Sequence, residues 1–478
     1  MSFTANIDDV VAENRNHLLG KHPKWGRVRL KEVATILNGY PFESGRFKRS
    51  GGTPLIRIRD ILDGNTKTFY DGAFDSTFVV KRGEILIGMD GDFHCEPWAG
   101  EPALLNQRVC KITPDESRFA KQFLRYLLPG YLSAINEQTP SVTVKHLSSR
   151  TIGEIPLPLP PLPEQRRIVA EIEKQFTRLE AGVTALRRVQ ANLKRYRAAV
   201  LKAACEGRLV PTEAALAKTG IRKATFETGE ALLARILTER RQIHERSQAA
   251  ATRKKKYKEP TTPTIPANEA LPAGWTWATW DQLGFAQNGR PFPSAEYQET
   301  GFKLLRPGNL HVSGKVVWTE SNTRCMPQKF AGENPDLIVR GSELVINLTA
   351  QSLKDEFLGR ICITGGDDEC LLNQRLARLT PVILLPEFVL YLLKAWRFRR
   401  YVDGLNSGSL IQHMFTSQLA EFTFPLPPLA EQTRIVAEVE RRLSVVEELE
   451  AVVLFNLQRA TRLRQSILQQ AFTGQLAS

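Results

Sequence analysis

"PLPLPPLPEQRRIVAEIE", Pro156–Glu173, and "FPLPPLAEQTRIVAEVE", Phe424–Glu440, are almost the same proline-to-helix junction carried twice in one chain. The Glu164 to Glu431 offset of 267 residues persists without a gap through Ile168/Ile435, Leu201/Leu468, Ala204/Ala471 and Gly207/Gly474. It also holds upstream, where "LLNQRVCKIT" (Leu104–Thr113) meets "LLNQRLARLT" (Leu371–Thr380). Near the start of each copy the offset becomes 250, matching "NGYPF" at Asn38 to "NGRPF" at Asn288 and Trp25 to Trp275. The repeat unit is therefore about half the chain, and the fold is set by what one unit does twice.

The second part of each unit reads as one long helix. Pro163 suits a first helical turn, and Glu164 lies where the helix N-terminus favours negative charge. Apolar residues then recur by threes and fours at Ile168, Ile172, Phe176, Leu179, Val183, Leu186, Val189, Leu193, Tyr196, Val200 and Ala204. The second copy repeats this at Ile435, Val439, Leu443, Val446, Leu449, Val453, Leu457, Ala460, Leu463, Ile467 and Ala471. Such a seam asks for another helix. At ~1.5 Å per residue, Glu164 to Gly207 would extend about 65 Å, too long to bury against one small domain. The economical partner is the other copy, set antiparallel.

The first part of each unit predicts a compact sheet-based domain. "PLIRIRDIL" alternates, placing Ile56 and Ile58 on one face of a strand and Arg57 and Arg59 on the other. "GEILIGM" (Gly83–Met89) and "GSELVINL" (Gly341–Leu348) predict further strands, and "FLRYLL" and "FVLYLL" short helices. The fold class expected is α+β: two pseudo-twofold-related α/β domains joined by two long antiparallel coiled-coil helices. The boundaries expected are an N-terminal extension 1–20, a first domain 21–155, junction and helix 156–210, a helical and Pro/Lys-rich linker 211–270, a second domain 271–423, and junction and helix 424–478.

The chain has 478 residues, a net charge of +14 and 42% hydrophobic residues, so it can bury more than one core and favours anionic partners. The run "RKKKYK" (Arg253–Lys258) carries five positive charges and leaves most of the excess elsewhere; it reads as a solvated linker or a phosphate clamp. A polar, acidic N-terminal stretch and the lack of an ~18-residue apolar window give a cytoplasmic expectation. Six cysteines with no C-x-x-C pair argue against zinc and against a disulfide framework.

No phosphate-binding loop, H-E-x-x-H or G-x-S-x-G motif occurs, and Pro335, Asp336 and Glu343 lack the lysine that a nuclease cluster needs, Val345 standing there instead. Catalysis by this chain is not expected. DNA is. Arg57 and Arg59 on one strand face, Lys67 after them, and Asn38 and Tyr40 of the "NGYPF" turn could contact guanine edges or phosphates. A solvated strand face accounts for each arginine equally well. The second copy offers Asn288, Arg290, Arg306, Asn309 and His311, with Gly308 where the first has Arg59, so base-reading loops would read different sequences. "SVTVKHL" (Ser141, Thr143, Lys145) and "GSLIQHM" (Ser409, Gln412, His413) occupy matching places and suit base-edge or phosphate contacts, or an ordinary surface loop. Asn106, Gln107 and Arg108 read as scaffold because "LLNQR" is identical in both copies. Trp275, Trp277 and Trp280 read as core.

With these residues in view the chain resembles the specificity subunit of type I restriction-modification systems. The carriers are the doubled Pro-Pro-Leu-x-Glu-Gln junction, the endings "EGRLV" and "FTGQL", the "KKKYKEP" run and "LPAGW" before the second copy. The resemblance implies two target recognition domains, each reading half of a bipartite DNA site. It implies that the helix pair spaces them and docks two adenine-N6 methyltransferase subunits. S-adenosylmethionine, ATP and magnesium would then belong to partner subunits, restriction subunits among them, and this chain would hold no cofactor and no metal. By position, Glu164, Gln165, Ile168, Val169, Glu431, Gln432, Ile435 and Val436 would face the methyltransferase subunits. Two other classes stay open: an enzyme with unrecognised motifs, and a coiled-coil scaffold without DNA affinity. Met1–Gly20 has no counterpart in the repeat.

Overall fold

Pro161 and Pro163 bracket the start of a helix that runs unbroken from Leu162 to Cys205, and the second junction launches another from Leu429 to Phe472, 44 residues each. The computed structural model describes residues 3, 5–15, 17–20, 22–140, 144–220, 225–249, 256–265, 269–351, 356–405 and 412–476. These form two units, one of residues 1–188 with 453–478 and one of residues 189–452. Each unit thus receives the beginning of one long helix and the end of the other.

In the first unit, strand Gly26–Arg29 pairs antiparallel with the proline strand Pro156–Leu159. A four-stranded antiparallel sheet follows in the order Ala34–Asn38, Val109–Pro114, Ile85–Gly88, Cys95–Pro97. A second sheet has the order Phe47–Lys48, Phe69–Tyr70, Thr53–Ile56, Ala103–Leu105, Val79–Val80, and its central pair is parallel. The second unit repeats the plan. Thr276–Thr279 pairs with Thr423–Leu426, the order Gly284–Asn288, Leu376–Pro381, Leu344–Asn347, Ile361–Ile363 makes one sheet, and Phe302–Leu305 lies parallel to Cys370–Leu372 in the other.

The helices meet antiparallel within each unit. In the first, Ile168, Ile172 and Phe176 share a core with Ile467, Ala471 and Phe472, and Arg464 lies over the Phe176 ring at 4.3 Å. In the second, Val200, Leu201 and Ala204 share a core with Ile435, Val439 and Leu443, and Arg197 bonds Glu450 at 2.9 Å. The seam expected from the sequence does not persist along the whole length. Val189, Tyr196, Leu449 and Leu463 are exposed. Leu193, Val446 and Val453, interleaved with these positions, are buried, so the seam is interrupted rather than lost.

Two segments outside the repeat are built into the cores. Helix Ile7–Glu13 buries Ile7 and Val10, and Leu19 follows them into the first unit's core. The stretch read as a helical and Pro/Lys-rich linker holds helices Glu213–Lys218 and Gly229–Ala249. Leu232 and Ile236 are fully buried, and Arg240 bonds Gly284 O at 2.6 Å and Asp281 at 3.1 Å. Arg253–Lys255 of the basic run lie outside the described residues. Trp275, Trp277 and Trp280 are buried. All six cysteines are free and buried, and burial raises the Cys110 thiol to about 12. Among the described residues no helix is long and apolar enough to cross a membrane, and no group of metal-ligating side chains assembles.

Candidate nucleic-acid interface

Strand Thr53–Ile56 stops one residue short of the arginines, which corrects the strand predicted through Ile58 and Arg59. Asp60 is the cause. It is buried, its Oδ2 accepts the Arg57 N–H at 2.9 Å, and the chain turns there into the short helix Asp60–Asp63. An aspartate that binds backbone two to three residues away competes with a strand ladder. Arg57 and Arg59 therefore ride on a loop, both exposed, and the Arg57 guanidinium has no partner among the described residues. Asn309 performs the same task in the second unit, its Oδ1 accepting from Arg306 N at 2.9 Å and its Nδ2 reaching Asn322. Asn309 is 1% exposed. It is removed from the DNA-facing set, because its amide is consumed in holding the loop.

The parallel strand pair brings three further segments to this loop. Leu55 and Ile56 register with Leu104 and Leu105, and Tyr40 bridges Asn106; in the second unit Leu305 registers with Leu372 and Arg290 bridges Asn373. The chains come very close at the turn glycines. A Cβ on Gly39 would meet Asn106 O at 2.0 Å, and one on Gly289 would meet Asn373 O at 2.2 Å, so only glycine fits. Asn38 bonds Ser149 Oγ at 3.0 Å, and Asn288 reaches Thr416 Oγ1 at 3.4 Å. Both are exposed yet positional.

The loop before each proline junction completes the rim. Leu147 N donates to Met89 O, and Met89 N to Arg108 O; Met414 N donates to Leu348 O, and Leu348 N to Arg375 O. His146 Nδ1 lies 2.7 Å from Asp90, with Arg108 3.2 Å from the same ring nitrogen. His413 is exposed and Gln412 half-buried on a two-residue strand paired with Thr349–Ala350. Ser141, Thr143 and Ser409 lie outside the described residues. Lys145 is a correction: its ammonium donates to Asn136 O at 2.7 Å and Oδ1 at 2.8 Å, which anchors the loop and leaves little for a phosphate. His311 sits on a separate exposed turn, its Nδ1 bonded to Ser313. Lys394, which burial brings down to about 8, ties that turn through the Val312 carbonyl.

The rim thus holds Tyr40, Arg57, Arg59 and Arg108 in one unit, with Lys67 exposed on the segment after the Asp60 helix. The other holds Arg290, Arg306, Gln374 and Arg375, and its floor is a cleft lined by Phe292, Tyr297 and Gly308. Arg306 lies over the Tyr297 ring at 5.7 Å. Gln107, Arg108, Gln374 and Arg375 are rim residues that sequence reading missed. "LLN" is buried scaffold, but the "QR" that follows is exposed, and Arg108 adopts a left-handed φ of 73° that turns it outward. Asp336 and Glu343 are not joined in one cluster: Asp336 lies 3.8 Å from Arg290, and Glu343 3.5 Å from Arg378.

The residues expected to face methyltransferase subunits are mostly internal. Gln165 is fully buried; its Oε1 accepts from Ala120 N at 2.7 Å and its Nε2 donates to Pro160 O and Arg118 O. Gln432, fully buried, donates to Pro427 O at 3.1 Å. Ile168, Val169 and Ile435 are core, while Glu164 and Val436 are half-buried. Glu431 is fully buried, and burial lifts its carboxyl above the usual range against hydrogen bonds from Glu213 N and Trp275. The junction therefore staples each long helix to its own domain. An apolar stripe that remains outward on the second helix is Val445, Leu449 and Val452.

Comparison with known proteins agrees with this architecture. The chain is 31% identical over its whole length to the type I restriction enzyme EcoBI specificity subunit of Escherichia coli, covering 92% of that protein. It is 22% identical over 95% of its length to the MjaVIII specificity subunit of Methanocaldococcus jannaschii, covering 93% of it. A chain from a solved structure of a type I R-M system aligns with 95% of this chain and 99% of its own length, at a TM-score of 0.56 and 20% identity. The family model described as type I restriction modification DNA specificity domain matches residues 23–186 and again 291–449. A doubled sheet domain, each stapled to a long helix and each carrying a basic rim, is thus a type I restriction-modification specificity subunit, and the chain belongs to that family.

Proposed function

We propose that each unit reads one half of a bipartite, asymmetric DNA target, that the paired helices set the unread gap, and that the chain docks two adenine-N6 methyltransferase subunits. S-adenosylmethionine, ATP and magnesium then act on those partners and on any restriction subunits, while this chain supplies sequence recognition. The observation that carries the reading is a rim built on corresponding backbone bonds in both units but furnished with different side chains, Tyr40, Arg57 and Arg59 against Arg290, Arg306 and Gly308. Arginine on a protruding loop can take guanine O6 and N7 bidentately or hold phosphate. Phosphate-held binding weakens steeply with salt, which a scaffold without DNA affinity would not show. The decisive experiment replaces residues 21–155 by those of a relative and maps methylated adenines. One half of the target should change and the other persist; a change in both halves would overturn modular reading.

A further inference from the structure

In the second unit the buried Glu431 carboxylate is held from two sides. Trp275 Nε1 donates to Oε1 at 3.0 Å, and the backbone N–H of Glu213 donates to Oε2 at 3.1 Å. Glu213 opens the helix Glu213–Lys218, capped by Thr212, and its own carboxylate is 2% exposed and paired with Arg434. Arg434 also donates to Pro211 O at 3.1 Å. A helix N-terminus with an acid in its first turn is thus seated on a tryptophan, a glutamate and an arginine.

The first unit carries the same three side chains at the repeat positions, Trp25, Glu164 and Arg167. Here Trp25 is 8% exposed and its Nε1 has no hydrogen-bond partner among the described residues. Glu164 is half-buried and Arg167 exposed, and neither side chain has a hydrogen bond or ion pair among the described residues. The end of the second long helix follows the first copy's path: Gly474 takes the left-handed φ of 76° that Gly207 takes at 65°, and Gln475 and Leu476 match Arg208 and Leu209. Native proteins rarely leave a buried donor unmade, and each such group calls for an explanation.

We propose that Trp25, Glu164 and Arg167 form a docking site for a helix N-terminus with a carboxylate in its first turn, presented by a modification subunit. The inference rests on the proposed function for the identity of the partner, and on the second unit for the chemistry. The incoming backbone N–H bonds Glu164, the glutamate closes over the Trp25 N–H, and the incoming acid pairs with Arg167. In the second unit the equivalent place is taken by the chain's own Glu213–Lys218.

Three measurements test this. In the free full-length chain, Trp25→Phe should leave the thermal midpoint unchanged or raise it, whereas Trp275→Phe lowers it by several degrees. Equal losses would mean that the Trp25 N–H is already satisfied, and would overturn the proposal. Appending a copy of Thr212–Gly220 after Ser478 should raise the midpoint and weaken binding of the modification subunit at least tenfold; a copy carrying Glu213→Lys should do neither. A graft that behaves like its control overturns the site whether or not the partner is correctly named. In titration with purified modification subunit, Arg167→Glu should weaken binding at least tenfold and the neighbouring Arg166→Glu much less. Equal effects overturn the proposal, while a wild-type chain that fails to bind that subunit refutes the proposed function and leaves the graft to decide the site.

Discussion

The rims of the two units share a skeleton and differ in what projects from it. Asp60 and Asn309 hold equivalent loops by the same bond to the residue three before them, at 2.9 Å in both. Around them Arg59 faces Gly308 and Tyr40 faces Arg290 in the repeat alignment. Scaffold and reader are therefore separated by one or two residues along the chain. The helix starts show the reverse: the sequence is kept, Glu-Gln in both, but the bonding is unequal, with Gln165 making three hydrogen bonds and Gln432 one to Pro427 O.

That inequality gives the largest expected effect. Gln165→Leu leaves Ala120 N and the Pro160 and Arg118 carbonyls without their partner and should destabilise the first unit by about 3 kcal/mol or more, since each buried orphan costs about 1–3 kcal/mol. Gln432→Leu should cost the second unit about 1 kcal/mol. Urea midpoints of the two variants check this, and equal shifts would erase the contrast. Next come the rims. Arg57→Ala and Arg306→Ala should each relax one half of the target by about 1–3 kcal/mol if the arginine reads a base, and weaken all sequences alike if it holds phosphate. Binding to duplexes varied in one half at a time distinguishes the two.

The last contrast concerns pH. Lys394 in the second unit stands where the first has Pro129, and its ammonium is brought down to about 8 by burial. The unfolded chain then binds the extra proton over the interval above pH 8, so this residue adds stability as pH rises from about 8 toward its ordinary 10.5. Urea midpoints should climb across that interval less in Lys394→Met than in the wild type; parallel curves would remove Lys394 as the cause.

The doubling, the proline junctions and the helix lengths were legible because they are written in spacing, and spacing survives folding. The strand through Arg59 was misread because alternation does not reveal that Asp60 will take the Arg57 N–H. Gln165 and Gln432 are placed at a partner interface by the resemblance alone; their burial depends on Ala120 N and the Arg118, Pro160 and Pro427 carbonyls, which only the folded chain brings to them. The "QR" of "LLNQR" was assigned to scaffold because identity between the copies cannot tell a buried Asn106 from an outward Arg108. Pro129 sits inside an uninterrupted helix Lys121–Gln138, whereas its counterpart helix ends at Lys394 and restarts at Trp396, which reverses what proline alone would suggest.

The turn glycines carry a consequence for how such chains diversify. Gly39 and Gly289 are pinned against a neighbouring carbonyl, so the path of the turn is fixed one residue before the side chain that varies, Tyr40 or Arg290. A mutation there exchanges the letter without bending the line it is printed on, and new target preferences become reachable by single steps that leave the rest of the molecule folded.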